Sequence, residues 1–252
     1  MKQFFIRGIC LFLCVSMTAC MGEGGDTINY HRVGVVREQP MRCIYTTDEL
    51  GGVFIVSSPE FEQREDLKDG DCCEVDFKTN FSEDLGNGVY KAEIVSYDSV
   101  AVWPMEHVMT DTTRVFPNEQ LFNLNIKKTL YVDGHLFLFT DHSAHVEGQK
   151  DFFQLSYNPE QEVELGEEGE RIYNLYLRST QWQPQDSTAR PSHWYNTEAF
   201  RAKDFLEEVK AKEIQEGQDA IHFKINYAER FDADTTRCVW KSSELFTLRF
   251  SN

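Results

Sequence analysis

The chain of 252 residues is short of positive charge: 25 Lys and Arg stand against 42 Asp and Glu, a formal net charge of −17. That deficit speaks against nucleic acid, whose phosphates an acidic surface repels, and against a body lying flat on anionic lipid. Catalytic signatures are missing too. There is no Gly-x-Ser-x-Gly elbow, no Gly-rich phosphate loop, no Cys-x-x-Cys pair and no Cys/His metal spacing. These would have pointed to a hydrolase, a nucleotide site or a zinc site. No pair of catalytic carboxylates can be localised, so neither an enzyme nor a cofactor is expected. Heptads, low-complexity tracts and internal repeats are absent, which excludes a fibre. After residue 20 no apolar run approaches the roughly 20 residues that a bilayer-spanning helix needs.

What is present begins at the first residue. Lys2 and Arg7 make a short basic start, Ile9 to Val15 an apolar run, and small or soft residues lead to Cys20. This is the layout of a secretory signal, and its apolar run is too short to span a bilayer. Met17-Thr18-Ala19-Cys20 resembles the lipobox of bacterial lipoproteins, with Met where Leu is usual. The resemblance implies that residues 1–19 are a signal peptide. Cys20 would then be the first mature residue, acylated with diacylglycerol and a palmitate-type chain. Residues 20–30 open with the Gly-rich, acidic MGEGGD and read as a flexible tether. Met21, rather than Asp, after the cysteine points to the outer membrane. The plainer alternative is a buried N-terminal strand. Cleavage removes Lys2 and Arg7 and no acid, leaving 23 basic and 42 acidic residues, net −19. So acidic a body holds to a membrane through its lipid anchor alone.

Cys10 and Cys14 leave with the signal, while Cys43, Cys72, Cys73 and Cys238 stay in the body. Export permits disulfides. Cys72 and Cys73 are adjacent, so on a strand they face opposite ways and do not bridge each other. Cys43 can bridge one of that pair if their strands are neighbours; buried thiols without a bridge are the equal alternative.

From residue 31 to 104 short strands are separated by turn signals with no helix between them: HRVGVVRE, MRCIY, GGVFIVSS, CCEVDFKT after Asp-Gly, and VYKAEIVSYDSVAVW after Asn-Gly. Five or so strands in about 75 residues suggest a small OB-like closed barrel. Residues 105–119, with Pro104 just before them and Pro117 inside, show no clean period and read as a linker. Residues 120–252 carry longer alternating strands, clearest in AIHFKINYAER, where Ile221, Phe223, Ile225 and Tyr227 share a face. One-sided burial predicts an antiparallel β-sandwich. One helix is expected at about 197–215, capped by Asn196 or Thr197, with Ala202, Phe205, Leu206 and Val209 as its apolar stripe and Gly217 as its stop. The fold class is therefore mainly all-β, in two domains.

LKDGDCCEVDFKT followed by GVYKAEIVSYDSV is similar to the Gly-Asp-x-x-x-Val core and following strands of NigD-like lipoproteins. The matching residues are Leu67, Gly70, Asp71, Val75 and Phe77, then Tyr90, Ile94 and Val100. The resemblance implies an OB-type barrel after the lipidated cysteine and a β-sandwich after the barrel. It brings no catalytic residues. The chain departs from the family in TTDELGGVFIVSS at the first hairpin and in the long helix.

Three segments bear on function. Asp141, His142 and His145 lie close enough to hold zinc if the segment turns as a loop; on a strand the two histidines face opposite ways. QWQPQDSTARPSHWYN presents Trp182, His193, Trp194 and Tyr195, suited to stacking on a sugar or gripping a partner protein. The plainer reading has both tryptophans capping the core. The acidic run PEQEVELGEEGER lacks the residue order of a calcium loop. The expectation is a non-enzymatic binding or accessory module for a protein, peptide or glycan partner. A metal-dependent enzyme around His142 and His145, or a structural subunit of a surface assembly, are the alternatives.

Overall fold

The computed structural model describes residues 27–39, 41–47, 53–86, 89–115, 124–182, 192–231 and 237–250. The expectations placed on residues 1–26, the Cys20 anchor among them, lie outside the described residues. Among the described residues no helix is long and apolar enough to cross a membrane.

Five strands close into a barrel: β1 (Thr27–Arg37), β2 (Cys43–Thr47), β3 (Val53–Ser57), β4 (Cys72–Asp84) and β5 (Val89–Val100), in the order β1-β2-β3-β5-β4. Alternation in the sequence fills the inside: Val36, Ile44, Val56, Cys73, Val75, Phe77 and Ala92 form one buried cluster. β1 serves two neighbours, pairing with β4 from Thr27 to Val35 and with β2 from Gly34 to Arg37. At the switch a Cβ on Gly34 would stand 2.3 Å from the Ile44 Cγ2 and 2.8 Å from the Tyr45 carbonyl oxygen. Only a glycine fits there. A single-turn helix, α1 (Pro59–Glu62), starts where the Ser58 hydroxyl accepts a hydrogen bond from the Phe61 amide at 3.1 Å. Its Phe61 joins the barrel core.

The second unit is one ten-stranded sheet that curls over its own core. Its strands are β6 (Val102–Glu106), β7 (Leu124–Val132), β8 (His135–His145), β9 (Lys150–Tyr157), β10 (Glu164–Leu165), β11 (Arg171–Trp182), β12 (Ser192–Arg201), β13 (Ala220–Phe231), β14 (Cys238–Ser242) and β15 (Phe246–Arg249). The main path runs β14-β13-β11-β9-β6-β12-β8-β7. The two halves close on each other as a sandwich does. Leu136, Leu138 and Phe200 from one half meet Leu155, Tyr173, Phe223 and Ile225 from the other. The helix α2 (Lys203–Gln215) buries Phe205, Leu206 and Val209 in the same core. Gly217, at φ +75°, ends it.

Four details differ from the sequence reading. First, the barrel begins inside the expected tether, at Thr27, and ends at Val100. Ala101 alone separates β5 from β6, so 102–106 belongs to the sheet rather than to a linker at 105–119. Pro104 read as punctuation, yet it is the exposed middle residue of β6, at the point where the β12 pairing of 102–104 gives way to the β9 pairing of 105–106. Second, Asn196 and Thr197 lie in β12; α2 starts at Lys203 behind Ala202, which makes no side-chain cap bond. Ladder bonds from β12 to β8 and β6 hold that segment extended. Third, β6–β9, β6–β12 and β11–β13 are parallel. Alternation records which face is wet, not which way a neighbour runs. Fourth, the condition for a Cys43 disulfide fails: β1 lies between β2 and β4, and two strand spacings, about 9–10 Å, exceed disulfide reach. Cys43, Cys72, Cys73 and Cys238 are free thiols.

The units meet along an apolar seam of Val33, Val35, Cys72 and Val100 from the barrel and Val132, Phe137 and Ala199 from the sheet. Asp133 and Gly134, with φ of +41° and +88°, form the tight β7–β8 turn. From its tip the Asp133 carboxylate accepts a hydrogen bond from the Arg37 Nε at 2.5 Å. The Thr197 hydroxyl donates to Glu74 across the same junction at 2.5 Å.

Candidate binding sites

The end of the sheet where β8 and β11 finish and β9 and β12 begin carries the aromatic residues singled out in the sequence. Register places Trp182 opposite Lys150, Tyr195 opposite Asp141 and Trp194 opposite His142. Trp182, Trp194 and Tyr195 are 53%, 49% and 72% exposed, and Phe152 beside them 50%. The two tryptophans therefore do not cap the core. The Lys150 ammonium lies 6.0 Å from the Trp182 ring centre. Trp194 and Tyr195 are consecutive on a strand and face opposite sides, so these aromatics line a rim rather than one pocket.

The two predicted clusters meet at one point. The His193 Nδ1 lies 3.3 Å from the Asp141 Oδ1, across the β8–β12 ladder. β8 continues as strand through His145 where a loop was expected, and positions three apart on a strand take opposite faces. The side chains of 142–145 lie outside the described residues. Among the described residues no three His, Cys, Asp or Glu side chains converge to hold a metal.

Behind the rim is a carboxyl the sequence did not reveal. Glu198 is 4% exposed. It accepts hydrogen bonds from the Trp103 indole and the Asn196 amide, each at 2.5 Å. Burial, reinforced by the charge of Asp151 and opposed by the Trp103 bond, lifts its pKa to about 7. The barrel thiols are poor nucleophiles, since burial pushes Cys43 up to about 11 and Cys72 to about 12.

A second concavity, about 500 Å³ in volume, opens beside the seam. Leu67, Cys72, Val100 and Val102 give it an apolar floor, and Arg64, Asp66, Asp71, Tyr97, Asp98 and Ser99 complete its wall. The Arg64 guanidinium stacks 5.1 Å above the Tyr97 ring and forks onto Asp66 at 2.8 and 2.5 Å. The Tyr97 hydroxyl is buried without a hydrogen-bond partner among the described residues. Sequence reasoning passed over this cleft because its lining spans residues 64–102 in no local motif. The one readable sign was Tyr97, an aromatic at the end of a strand otherwise ready for a small core.

Fold and sites together define a two-unit β protein, an OB-like barrel joined through one residue to a curled sheet, with an aromatic rim and a polar cleft. No family model and no curated protein matches the chain. Among solved structures, an uncharacterised protein from Parabacteroides merdae matches with a TM-score of 0.76 at 18% identity, over 88% of this chain and 100% of its own. A candidate lipoprotein from Bacteroides fragilis matches with a TM-score of 0.50 at 13% identity, over 89% of this chain and 99% of its own. A NigD-like immunity protein from Bacteroides caccae aligns over 87% of this chain and 94% of its own, at a TM-score of 0.45 and 13% identity. At such identities the likeness is one of fold. The barrel-then-sheet order implied by the NigD-like resemblance is the order of this structure.

Proposed function

We propose that the chain is a lipid-anchored protein of the cell envelope that works as a binding or accessory module for a protein, peptide or glycan partner, without catalysis. The observation that carries the binding role is the rim. Four large aromatics stay about half exposed or more at one end of a well-packed sheet, where water contact costs free energy unless a partner covers them. The anchor rests on Met17-Thr18-Ala19-Cys20, and the fold shared with a candidate lipoprotein of Bacteroides fragilis is consistent with it. Acylation at Cys20 with a palmitate-type chain, and attachment to the outer membrane, belong to the same proposal.

Two measurements test it. Mass spectrometry of the mature N-terminus should find Cys20 carrying diacylglycerol and an acyl chain; an intact Met1, or a cut elsewhere, overturns the anchor. Pull-down from solubilised envelopes should recover a partner that a Trp194→Ala/Tyr195→Ala variant loses while its fold is kept. An unchanged catch from the variant, or an empty one from the parent, sinks the rim as the binding surface.

A further inference from the structure

On β12, Trp194, Asn196 and Glu198 alternate onto one face, while Thr197 turns the other way to meet Glu74 of the barrel. Across the ladder, Leu138 stands opposite Glu198, Thr140 opposite Asn196 and His142 opposite Trp194. Each oxygen of the Glu198 carboxylate has its own donor: the Trp103 indole reaches Oε2 and the Asn196 amide reaches Oε1. Both donors lead to the rim. The Trp103 ring stands edge-on to Phe152 at 6.2 Å and to Phe153 at 6.0 Å. Phe152 belongs to the rim and Phe153 to the core of the sheet. Asn196 follows Trp194 on their shared face and adjoins Tyr195 in the chain; its carbonyl accepts from the Thr140 hydroxyl at 3.2 Å. One buried carboxylate thus holds the rim from β6 and from β12 at once.

The charge on that carboxylate decides how firmly. Ionised, it accepts at both oxygens, and hydrogen bonds to an ionised acceptor are roughly twice as strong as those between neutral groups. Protonated, it turns an O–H toward one of two N–H donors, and Trp103 or Asn196 loses its partner. The surroundings keep both states within reach. Asp151 of β9 is the charged group that acts on Glu198, and it opposes ionisation as burial does. Among the described residues β6 contributes Trp103, β8 Leu138 and Thr140, and β12 itself Asn196, none of them charged. The other charges at the rim are engaged elsewhere, Asp141 with His193 and Lys150 over the Trp182 ring. Glutamine in this place would offer one acceptor oxygen to two N–H donors; the carboxylate serves both.

Taking the rim as the surface that meets a partner, we propose that Glu198 is the positioning residue through which pH sets the rim's arrangement. The ionised carboxylate fixes Trp103 and Asn196, and with them Phe152 and Trp194. Uptake of a proton releases one donor and loosens the rim. The surface is set for its partner on the alkaline side of this titration and relaxed on the acid side.

The test is an NMR titration of the full chain, without a partner, across the value of about 7 to which burial lifts Glu198. The indole N–H signals of Trp103 and Trp194 and the ring signals of Phe152 should move together with one midpoint near 7. The Trp240 indole, bonded to the Thr112 carbonyl in the other half of the sheet, should not follow. In Glu198→Gln these signals should stay flat and resemble those of the parent at low pH, since the amide mimics the protonated acid. Asp151→Asn removes the charge that opposes ionisation and should lower the midpoint. An unchanged circular dichroism spectrum checks that each variant folds. A Glu198 that only packs would move the Trp103 signal and leave Phe152 and Trp194 still, and that result overturns the proposal. So does a midpoint that survives in Glu198→Gln, which would belong to a histidine, or one that Asp151→Asn leaves in place. A flat titration leaves the rim's binding role standing, and an empty pull-down sinks that role without touching the titration.

Discussion

Glu198 is held by an indole N–H and an amide N–H, and among the described residues no cation pairs with it. Its pKa of about 7 lies above the ordinary 4.5. Between those values the folded chain holds a proton that the unfolded chain has released. Stability from this group is therefore complete below about pH 4.5 and is lost as pH rises toward 7. A shift of this size corresponds to on the order of 3 kcal/mol. Glu198→Gln, which cannot ionise, should flatten the fall, so that urea midpoints at pH 5 and pH 7.5 lie closer together than in the parent. A variant with the parent's full pH dependence would show that the drop comes from elsewhere. Gly34 is the second residue on which much rests. Gly34→Ala drives a methyl into Ile44 and the Tyr45 carbonyl, and should cost about 1–3 kcal/mol in denaturant unfolding.

Elements differ in how openly the sequence announces them. β13 was legible because Ile221, Phe223, Ile225 and Tyr227 all enter one core while His222 and Lys224 do not. β4 was legible for the same reason, and it parts Cys73, in the barrel core, from Cys72, in the seam. The start of α2 was not. Asn196 and Thr197 are good capping residues, but the neighbours that hold them in β12 come from residues 139–140 and their pull is invisible locally. The parallel pairing of β11 with β13 was hidden likewise, since β12 and α2 intervene as the crossover that such a pair requires. Of the candidate sites, the rim was readable as a cluster of adjacent aromatics; the cleft and Glu198 depend on partners far along the chain. Once formed, α2 is bound mainly by its apolar stripe. Phe205 lies 4.7 Å from Tyr157, ring centre to ring centre, and is packed against Phe223. Phe205→Ala should cost about 3–5 kcal/mol, read as a lowered denaturant midpoint with the slope unchanged.

At the scale of the whole molecule, the seam should matter more than the ion pair above it. Arg37 and Asp133 are both partly exposed, their side chains 28% and 35% accessible, so Arg37→Ala should cost no more than about 1 kcal/mol. Phe137 is buried in the seam, and Phe137→Ala should cost about 3–5 kcal/mol. All 4 tryptophans, Trp103, Trp182, Trp194 and Trp240, lie in the sheet, while Cys73 is buried in the barrel. Tryptophan fluorescence and thiol labelling of Cys73 therefore report on separate units. With a one-residue connection and a shared apolar seam, both probes should follow one transition; two separated transitions would mean that each unit folds for itself.

The placement of β1 has a mechanical consequence. Its first residue, Thr27, opens the barrel, and its last, Arg37, is clasped by the tip of the β7–β8 turn. A pull on Thr27 against a load on the sheet thus runs along the axis of β1. The nine residue pairs that join β1 to β4, from Thr27–Asn80 to Val35–Cys72, then lie parallel to the force. They must slide past one another together instead of opening one at a time, so β1 resists such a pull as a whole.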